Sequence, residues 1–560
     1  MPPPLTLNRM IDMSCQTFAA HPAVGMACAA PLSYGALHEQ IIQASGLLHD
    51  LNVKMHDRVA ILAENSPEWL VAYFATVRLG AIAVPMLPDF LDTDVQHILR
   101  ETKAKLLFTT SRQKPKVEDF RDRTLKKIII LDQPDQEGDA AKTNFLKDLL
   151  QKRPRFALNM LKKIQKESAR VKGRHVASII YTSGTSGHSK AVMLTHGNLV
   201  ANALSAANLA PISPEWTFLS LLPLSHAYEF TINCLAPLTH GCRIVYAGKP
   251  PTPTIMEKIC REEQPTAICM VPMVLEKIYK KKVQPLIEGN KLLRLTMRIP
   301  GLRDAIYRQM GRRLLRLLGG QIKLIAVGGA SLNLEVEKFL AQAAVPYAVG
   351  YGLTEASPLL SGGPVNDPTI AVGSAGKPVP GVAIKILDPA PESGIGEIYA
   401  RGKNIMQGYY NNPEATAQAI DADGWLATGD LGYLDRANNL FVTGRSKNVI
   451  VLAHGENIYP EALEDKINAL SHVVESLVVE NHGRLEALLY LDYDLIDRET
   501  AGQSQPRKRL YIDTLLTEMR QAVNRQLPPY AKIALFAERP EPFIKTATHK
   551  IKRYLYQSNG

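Results

Sequence analysis

Cysteine is scarce in this sequence. Six cysteines occur among 560 residues, and no two of them form a C-x-x-C pair, so the sequence indicates neither a zinc site nor a dithiol redox motif. We therefore expect reduced, mostly buried thiols in a cytoplasmic protein. The six are Cys15, Cys28, Cys234, Cys242, Cys260 and Cys269.

Long apolar runs are also missing. No uninterrupted run reaches the length of about 18 residues that a membrane-spanning helix needs, and the mean hydropathy of -0.08 speaks against a polytopic membrane protein. The opening residues, MPPPLTLNRM, contain no cationic segment followed by an apolar one, so we expect no secretory signal. With 46% hydrophobic residues, the composition excludes a disordered or low-complexity chain.

Positive charge is unevenly distributed. The net charge is +11, and residues 147–174 carry about ten basic residues against two acidic ones, while residues 277–323 carry about thirteen against two. Both stretches are predicted to form amphipathic helices, with a solvated face, an anionic membrane surface or a phosphorylated ligand as open alternatives. Because no helix-turn-helix, zinc-finger or aromatic RNA-binding motif occurs, we expect no nucleic-acid partner.

Short apolar strands alternate with longer helical stretches in the first two thirds of the chain. Residues 57–86 predict a β-α-β unit in which Ser66 caps the helix, Pro67 opens it and Gly80 ends it. This pattern predicts a layered α/β fold. Further strands are predicted at 105–110, 127–132, 177–182, 242–247, 267–272 and 322–329.

The pattern changes towards the C-terminus. After about residue 370, turns rich in Gly and Pro separate short strands, which predicts a small β subdomain, and beyond Arg445 a shorter α+β segment begins. We therefore predict a large N-terminal domain over residues 1–444, built from layered α/β subdomains plus the β subdomain. A small mobile C-terminal domain over 445–560 would follow a hinge near 445–448.

The first chemical motif is IIYTSGTSGHSKAVMLTHGNL, residues 179–199. A predicted strand runs into a loop that Lys190 closes, where glycines allow backbone N–H groups to converge, hydroxyls add donors and the lysine adds charge. The pattern does not fit Walker A. A flexible linker is the alternative, but the flanking strand and helix favour a phosphate-binding loop. Its residues are Thr182, Ser183, Gly184, Thr185, Ser186, Gly187 and Ser189.

Four further segments follow in order. VGYGLTEASP (349–358) places a hydroxyl and a carboxylate side by side, which suits Mg²⁺ bound to phosphates, although a simple strand-to-helix turn is the alternative. GWLATGDLGYLD (424–435) puts Asp430 in a turn where it could accept hydrogen bonds from a ribose diol. FVTGRSKNVIVLAHGENIYPEALE (441–464) contains Arg445 and Lys447, and PEPFIKTATHKIKRYLY (540–556) contains Lys550.

Together, in this order, these motifs resemble those of the adenylate-forming (AMP-binding) superfamily, which includes acyl-CoA synthetases, luciferases and peptide-synthetase adenylation domains. The resemblance spans about residues 30–556. LPLSHAYEF (222–230), PTAICMVPMVLEKIY (265–279) and the ending PFIKTATHKIKRYLY are most similar to fatty acyl-CoA synthetases.

The resemblance implies a role for each matching residue. The loop 182–190 would hold the β- and γ-phosphates of ATP, Asp430 the ribose hydroxyls with Arg445 beside it, and Lys550 the carboxylate and α-phosphate during adenylation. Lys447 would be the hinge residue and Gly455 would line the CoA path. The other implied positions are Gly328, Gly329, Ala330, Tyr351 and Gly352 around adenine, Thr354 on the α-phosphate, Glu355 and Thr185 on Mg²⁺, and His226 beside the acyl carboxylate.

Three positions depart from the family pattern. The phosphate loop lacks the usual proline and last glycine over residues 187–191, Ser331 replaces a commoner proline, and His549 precedes Lys550. None of these changes removes a charged group that the chemistry needs.

The sequence therefore predicts an enzyme that uses ATP and Mg²⁺ to activate a fatty acid as an acyl-adenylate and then forms a thioester with CoA. A ligase that delivers the acyl group to an acyl carrier protein is the first alternative, and a non-catalytic nucleotide- or lipid-binding protein is the second. A long-chain acid is favoured by the resemblance and by the basic stretches, which would suit peripheral contact with the inner face of a membrane.

Overall fold

The structure is a computed structural model that describes residues 5–132, 146–151, 158–182, 190–248, 251–288, 296–297, 299–452, 456–546 and 550–556. Its helices are α1 (Leu7–Thr17), α2 (Tyr34–Asp50), α3 (Pro67–Arg78), α4 (Asp92–Thr102), α5 (Leu146–Gln151), α6 (Leu158–Arg170), α7 (His196–Ala207), α8 (Ala236–Leu238), α9 (Pro253–Glu263), α10 (Pro272–Ile278), α11 (Gln284–Glu288), α12 (Pro300–Leu317), α13 (Leu334–Gln342), α14 (Pro413–Ala419), α15 (Pro460–Asn468), α16 (Tyr493–Glu499) and α17 (Gln505–Asn524).

Most strands belong to two large sheets. They are β1 (Pro22–Met26), β2 (Leu32–Ser33), β3 (Arg58–Leu62), β4 (Ile82–Met86), β5 (Leu106–Thr109), β6 (Lys127–Ile130), β7 (Val176–Thr182), β8 (Lys190–Thr195), β9 (Thr217–Ser220), β10 (Arg243–Tyr246), β11 (Ala267–Met270), β12 (Leu324–Val327), β13 (Tyr347–Gly352), β14 (Leu359–Gly362) and β15 (Lys377–Pro378). The remaining strands are β16 (Val382–Leu387), β17 (Gly396–Gly402), β18 (Gly408–Tyr409), β19 (Leu426–Leu434), β20 (Leu440–Arg445), β21 (Ile450–Val451), β22 (Asn457–Ile458), β23 (Val473–Asn481), β24 (Arg484–Leu491) and β25 (Leu535–Glu538).

The two large sheets have mostly parallel centres and antiparallel edges. The first has the order β15-β14-β13-β12-β11-β9-β10-β1-β2, and the second has the order β18-β8-β7-β4-β3-β5-β6. Strands β3 and β4 pair in parallel on either side of α3, so the predicted β-α-β unit is confirmed. The side-chain oxygen of Ser66 accepts from the N–H of Trp69, as expected of the helix cap.

Helix α3 lies between the two sheets, where all of its residues except Glu68 are buried. A helix that is apolar on all sides is stable only inside a core. Its Trp69 and Tyr73 stack with ring centroids 5.5 Å apart, and Tyr73 lies 4.4 Å from Phe230 of the neighbouring layer. This aromatic contact ties α3 to the segment that follows β9.

Asn65 joins the carboxyl ends of strands from both sheets. Its amide donates to the Ser220 hydroxyl at 3.0 Å and to the Leu222 carbonyl at 2.6 Å, and its oxygen accepts from the Leu224 N–H at 2.8 Å. Because all three bonds are satisfied by the chain after β9, they fix the path of residues 221–226. That path sets the position of His226.

Two smaller parts complete the molecule. The predicted β subdomain is an antiparallel sheet with the order β16-β17-β19-β20. The C-terminal part contains the pair β21-β22 and the sheet β23-β24-β25, packed with α15 and α17 around a core that includes Ile467 and Leu489. The predicted fold class, α/β with a β subdomain and a small α+β C-terminal part, is confirmed.

Several local features were not predicted. Residues Glu229–Leu235 and Tyr279–Val283 form π-helical turns, and β25 pairs in parallel with β24. The expectation of mostly buried thiols is confirmed, since five cysteines are buried and Cys28 is exposed. Among the described residues, no helix has both the length and the apolar character needed to cross a bilayer.

Candidate active site

Asp430 lies at the centre of a network of charged and phenolic groups. It sits within strand β19, not in the turn that the sequence predicts, and directly opposite Arg445 on β20. The Arg445 Nε lies 3.1 Å from one carboxylate oxygen, and the Tyr351 hydroxyl donates to the other at 2.7 Å. Asp430 is 6% exposed. Each carboxylate oxygen has a second lone pair, so the buried carboxylate is held in place and can still accept a hydrogen bond from a ligand.

Tyr351 reaches Asp430 because β13 leaves the first sheet through a tight turn. At Gly352 a Cβ would lie 2.0 Å from the Pro358 carbonyl oxygen, so only glycine fits there. Burial raises the pKa of Tyr351 well above its usual value, and the charge of Asp430 raises it further. The phenol therefore stays protonated as a hydrogen-bond donor.

Glu355 lies in a short 3₁₀ turn over Thr354–Ala356, next to the same crevice. Its Oε1 accepts from the Tyr409 hydroxyl at 2.9 Å, and its backbone carbonyl accepts from the Met406 N–H at 2.8 Å. The Lys190 Nζ lies 4.5 Å from the centroid of the Tyr409 ring, in a cation–π contact. Tyr409 thus sits between the lysine that closes the predicted phosphate loop and the predicted metal ligand.

The predicted phosphate loop has well-defined ends. Thr182 and Lys190 are paired across β7 and β8, and the Thr182 hydroxyl donates to the Lys190 carbonyl at 3.3 Å. Such a hairpin holds both ends of the intervening loop at one edge of the second sheet. Ser183, Gly184, Thr185, Ser186, Gly187 and Ser189 lie outside the described residues.

Lys550 points into this crevice from the C-terminal part. The residue is exposed at the edge of the crevice, and its amine is near Arg445, Asp430 and Glu355. Burial in the crevice lowers the pKa of its amine, the charge of Arg445 lowers it further, and the carboxylates of Asp430 and Glu355 raise it. These influences show that the structure brings Lys550 together with three of the other predicted site residues.

His226 and Tyr228 form the wall of the crevice next to Lys550. Burial lowers the pKa of His226 to about 4, and the charge of Lys550 lowers it further, so the imidazole is neutral near pH 7. Its Nδ1 accepts from the Tyr228 N–H at 3.2 Å. The Tyr228 hydroxyl donates to the Ala326 carbonyl at 3.0 Å, which holds the ring across the end of β12.

The predicted adenine-binding segment, Gly328, Gly329 and Ala330, follows β12 directly. A Cβ on Gly328 would approach the Tyr228 ring to 3.3 Å, and Gly329 has φ +88°, a conformation that favours glycine. The glycines therefore allow the chain to pass close to Tyr228 and turn towards Tyr351. Ala330 is exposed.

One predicted residue lies apart from this network, and another lies outside the described residues. Lys447 is exposed in the short turn Ser446–Asn448 that follows β20, so it does not join the site. Gly455, the predicted residue of the CoA path, lies outside the described residues.

Sequence reasoning missed Tyr228 and Tyr409. Tyr409 lies on β18, which pairs with β8 across more than two hundred residues of chain, and no local pattern reveals that pairing. Tyr228 lies within the LPLSHAYEF segment, two residues after His226. Its position beside the crevice depends on its contact with the distant Gly328. Only the fold brings these partners together.

A cleft of about 500 Å³ opens beside the site. It is bordered by Asn65 at the end of β3, Pro88 after β4, Arg112 after β5 and Pro223 after β9. Openings at the carboxyl ends of parallel strands are the usual ligand sites of α/β folds. Pro223, at the border of the cleft, is three residues before His226 along the chain.

Most of the large N-terminal part of the chain, including the phosphate-loop hairpin, matches a known family. A sequence profile described as AMP-binding enzyme matches residues 11–410. The chain belongs to the AMP-binding enzyme family. The match covers the two large sheets, the phosphate-loop hairpin, Glu355 and Tyr409, and it ends before Asp430, Arg445 and Lys550.

The curated relatives of this AMP-binding enzyme have modest sequence identity to it. It is 28% identical over 522 residues to the long-chain-fatty-acid–CoA ligase heimdall of Drosophila melanogaster, covering 87% of this chain and 76% of that protein. It is 26% identical over 548 residues to the long-chain-fatty-acid–[acyl-carrier-protein] ligase AEE15 of Arabidopsis thaliana, covering 84% and 74%.

Solved structures share the fold of this AMP-binding enzyme. The crystal structure of the anthranilate CoA ligase AuaEII with anthranoyl-AMP aligns with a TM-score of 0.79 at 20% identity, over 99% of this chain and 97% of that chain. The o-succinylbenzoate CoA synthetase of Bacillus subtilis, in complex with ATP and magnesium ion, gives 0.74 at 22% identity, over 97% and 98%. At such identities the likeness establishes the fold alone.

Proposed function

We propose that this AMP-binding enzyme activates a long-chain fatty acid with ATP and transfers the acyl group to the thiol of CoA. The observation that carries the proposal is the convergence of Lys550, Asp430, Arg445 and Glu355 on one crevice. A cation, a diol-binding carboxylate and a metal-binding carboxylate are the groups that adenylate formation requires. The names of the curated relatives support the choice of acid and thiol.

In the first step, one oxygen of the fatty acid carboxylate attacks the α-phosphorus of ATP. The new O–P bond forms as the bond to the β-phosphate oxygen breaks, and pyrophosphate leaves. Lys550 would stabilise the negative charge on the α-phosphate oxygens, and the Thr354 hydroxyl would donate to them. Preorganised cations of this kind usually give the largest electrostatic contribution to such a transition state.

Nucleotide binding follows from the same network. Asp430 would accept from both ribose hydroxyls, because Tyr351 and Arg445 hold its carboxylate in one orientation. The segment 328–330 and Tyr351 would enclose the adenine, and Gly352 would keep the turn open. Lys190 would join the loop 183–189 in binding the β- and γ-phosphates, with the Tyr409 ring supporting its position.

Glu355 fits a role as a Mg²⁺ ligand. Only its Oε1 is hydrogen-bonded within the described part of the chain, so a second carboxylate oxygen is available. Mg²⁺ usually binds one or two carboxylates together with substrate phosphates, and when bound it neutralises phosphate charge. The described residues contain no group of three or more His, Cys, Asp or Glu side chains that could hold a metal alone. The second proposed ligand, Thr185, lies outside them.

In the second step, the thiol sulfur attacks the acyl carbonyl and AMP leaves with the bonding electrons of the C–O bond. The thiol proton passes to solvent or to the released phosphate. His226 is neutral at pH 7 and adds no charge beside the acyl carbonyl. No enzyme nucleophile is needed, since AMP is already a good leaving group.

We also propose that residues 1–444 and 445–560 are two domains joined by a hinge at 445–448. Support comes from the short turn Ser446–Asn448 between the β subdomain and the C-terminal part. Lys550 must enter the crevice for the first step and withdraw for the second, when the thiol needs access. Rotation at Lys447 would supply that exchange, and Gly455 would then border the CoA path.

The thiol acceptor has two candidates. The cleft beside the site, with Arg112 at its border, could admit the pantetheine arm of CoA or of a carrier protein. A carrier-protein ligase among the relatives supports the second candidate. Product analysis distinguishes CoA from a carrier protein as the acceptor.

The function is tested by pyrophosphate release. The purified protein is incubated with ATP, Mg²⁺ and palmitate, and then with CoA or with holo acyl carrier protein. We expect pyrophosphate release that depends on palmitate, followed by palmitoyl-CoA. Palmitoyl transfer to the carrier protein alone would establish the alternative, and no pyrophosphate release with fatty acids of any length would contradict the proposal.

A further inference from the structure

Helix α15 ends against the large N-terminal part of the molecule. The Lys280 Nζ donates to the backbone carbonyls of Asn468 and Val473, the second at 2.8 Å. The Asn333 amide donates to the Asp465 carbonyl at 3.0 Å. The last carbonyls of a helix lack partners within the helix and carry partial negative charge. The Lys280 ammonium supplies such a donor to Asn468 and also reaches Val473, the first residue of β23. The Asn333 amide adds a second hydrogen bond to the Asp465 carbonyl, which already accepts from the Ala469 N–H at 3.2 Å.

Asn333 is held rigidly for this contact. It is 8% exposed, and its side-chain oxygen caps α13 by accepting from the N–H groups of Glu335 and Val336 at 3.0 and 3.4 Å. Both ends of its amide are therefore engaged, one inside the large part and one on α15. A side chain fixed in this way defines where the partner helix lies.

Lys280 is placed by a local irregularity of the chain. It lies in the π-helical turn Tyr279–Val283, which interrupts the helical run between α10 and α11. Burial lowers the pKa of its amine, while the carboxylates of Glu276 and Asp492 raise it. Burying part of a charged amine is costly unless it is well paired, so the two carbonyl contacts are specific features of this arrangement.

The same helix carries the segment that delivers Lys550. Arg553 pairs with Glu464 of α15 and lies 3.9 Å from Glu461. Lys550 is three residues before Arg553, and its carbonyl accepts from the Thr546 N–H at 2.8 Å. A continuous set of contacts therefore runs from Lys280 and Asn333 through α15 to Lys550.

We propose that Lys280 and Asn333 are positioning residues that grip the C-terminal end of α15 and hold Lys550 in the crevice for adenylate formation. The proposal rests on the proposed function, in which Lys550 acts in the first step only. The grip must be released before the thioester step. It therefore sets the balance between the two half-reactions, although neither residue touches the reacting atoms.

The test separates the half-reactions in two variants. Lys280→Met removes the ammonium but keeps the length of the side chain, and Asn333→Asp keeps the cap of α13 but replaces the donating amide with a carboxylate. We expect pyrophosphate release to fall about tenfold or more in each, because a charge-assisted or well-fixed hydrogen bond is lost. Thioester formation from preformed acyl-adenylate and CoA should stay within about twofold of the unmodified protein.

Lys466→Met is the matched control. Lys466 is exposed on the same helix, so its loss removes an equal charge away from the interface. Both half-reactions should be unchanged in this variant. A parallel loss of both half-reactions in Lys280→Met, or no loss in either variant, would overturn the proposal.

A second measurement needs no catalysis. An amine-reactive acetylating reagent should modify Lys280 more slowly than its exposed neighbour Lys281. The rate at Lys280 divided by the rate at Lys281 should rise towards one in Asn333→Asp. Equal modification of the two lysines in the unmodified protein would show that the grip does not form. Failure of the proposed function would appear differently, as absence of pyrophosphate release with an intact Lys280 protection pattern.

Discussion

At the scale of single residues, protein side chains orient the carboxylates of the site. Asp430 is held by Tyr351 on one oxygen and by Arg445 on the other, and Glu355 is oriented by Tyr409. Such preorganisation reduces the reorganisation that the transition state would otherwise require. The effects of substitution should therefore depend on whether a charge or only its orientation is lost.

Glu355 provides that comparison. Glu355→Gln keeps the size of the side chain but removes the charge, so we expect the adenylation rate to fall about a hundredfold or more, as when a metal ligand is lost. Tyr409→Phe removes only the hydrogen bond that orients Glu355, and we expect a smaller loss of about tenfold or less. Steady-state pyrophosphate release over a Mg²⁺ titration measures both. Near-normal activity of Glu355→Gln at limiting Mg²⁺ would show that the residue is only part of a turn.

Glu229 gives a prediction for stability. It is fully buried beside Asn233, and burial raises its pKa from 4.5 to about 8. Between these values the folded state keeps a proton that the unfolded state has lost, so stability falls as pH rises, with a limiting slope of about 1.4 kcal/mol per pH unit. Glu229→Gln removes this dependence.

Thermal unfolding of both proteins from pH 5 to pH 9 tests that prediction. The stability of Glu229→Gln relative to the unmodified protein should increase with pH up to about pH 8 and then level off. A difference that stays constant over the range would mean that Glu229 does not take up a proton on folding.

Charged residues in ordered motifs were predictable, whereas their partners were not. Asp430, Arg445, Glu355 and Lys550 were identified because their order along the chain matches a family pattern. Tyr409 contacts Glu355 only through the pairing of β18 with β8, and Lys280 contacts α15 only across the interface. Long-range contacts of this kind have no local sequence pattern.

At the scale of elements, the hydrophobic periodicity and the helix-capping residues were sufficient to place several helices and strands. The strand-helix-strand unit at β3, α3 and β4 was predicted with its cap, because Ser66 and Pro67 are strong start signals. The order of strands in the sheets was not predicted. It depends on side-chain packing between layers, such as the contact of Tyr73 with Phe230, which the sequence does not reveal.

Helix α12 is the element that supports a membrane-binding hypothesis. Its exposed face carries Arg308, Arg312, Arg313 and Arg316, with Leu302 and Leu317 47% and 44% exposed near its two ends. Cations with adjacent apolar groups suit an anionic bilayer, where each basic side chain contributes up to about 1 kcal/mol at low salt. A solvated face is the alternative.

Sedimentation with vesicles distinguishes these alternatives. The protein should bind vesicles that contain phosphatidylserine. This binding should weaken between low and moderate salt, and it should be several-fold weaker after the double change Arg312→Glu and Arg313→Glu. Arg484→Glu with Arg507→Glu alters the same charge on exposed positions of the C-terminal part and should bind normally. Equal binding to neutral and anionic vesicles, or none to either, would restore the interpretation as a solvated face.

At the scale of the whole molecule, the C-terminal part is docked so that Lys550 reaches the crevice. The contacts of Lys280 and Asn333 with α15 accompany this placement. The two-part organisation was predicted from a change in composition near residue 445. The docked arrangement could not be predicted, because it depends on surfaces that meet only after both parts have folded.

Lys447→Pro tests the hinge. Proline fixes φ and restricts the preceding residue, so the turn Ser446–Asn448 should become stiffer. Starting from the docked arrangement, we expect adenylation to persist within about threefold and thioester formation to slow about tenfold or more. Rapid-quench measurements of acyl-adenylate and acyl-CoA follow the two steps, and unchanged thioester formation would place the hinge elsewhere.

The most direct test of the account is the pair of half-reaction rates for Lys550→Ala. Lys550 belongs to the C-terminal part, and the docked position of that part brings it near Asp430 and Glu355 in the crevice. We predict that pyrophosphate release falls about a hundredfold or more, since a charge-assisted contact to the transition state is lost. Given preformed acyl-adenylate and CoA, the variant should still form acyl-CoA at close to the normal rate. Equal loss of both half-reactions would contradict the account and would make Lys550 a structural contact.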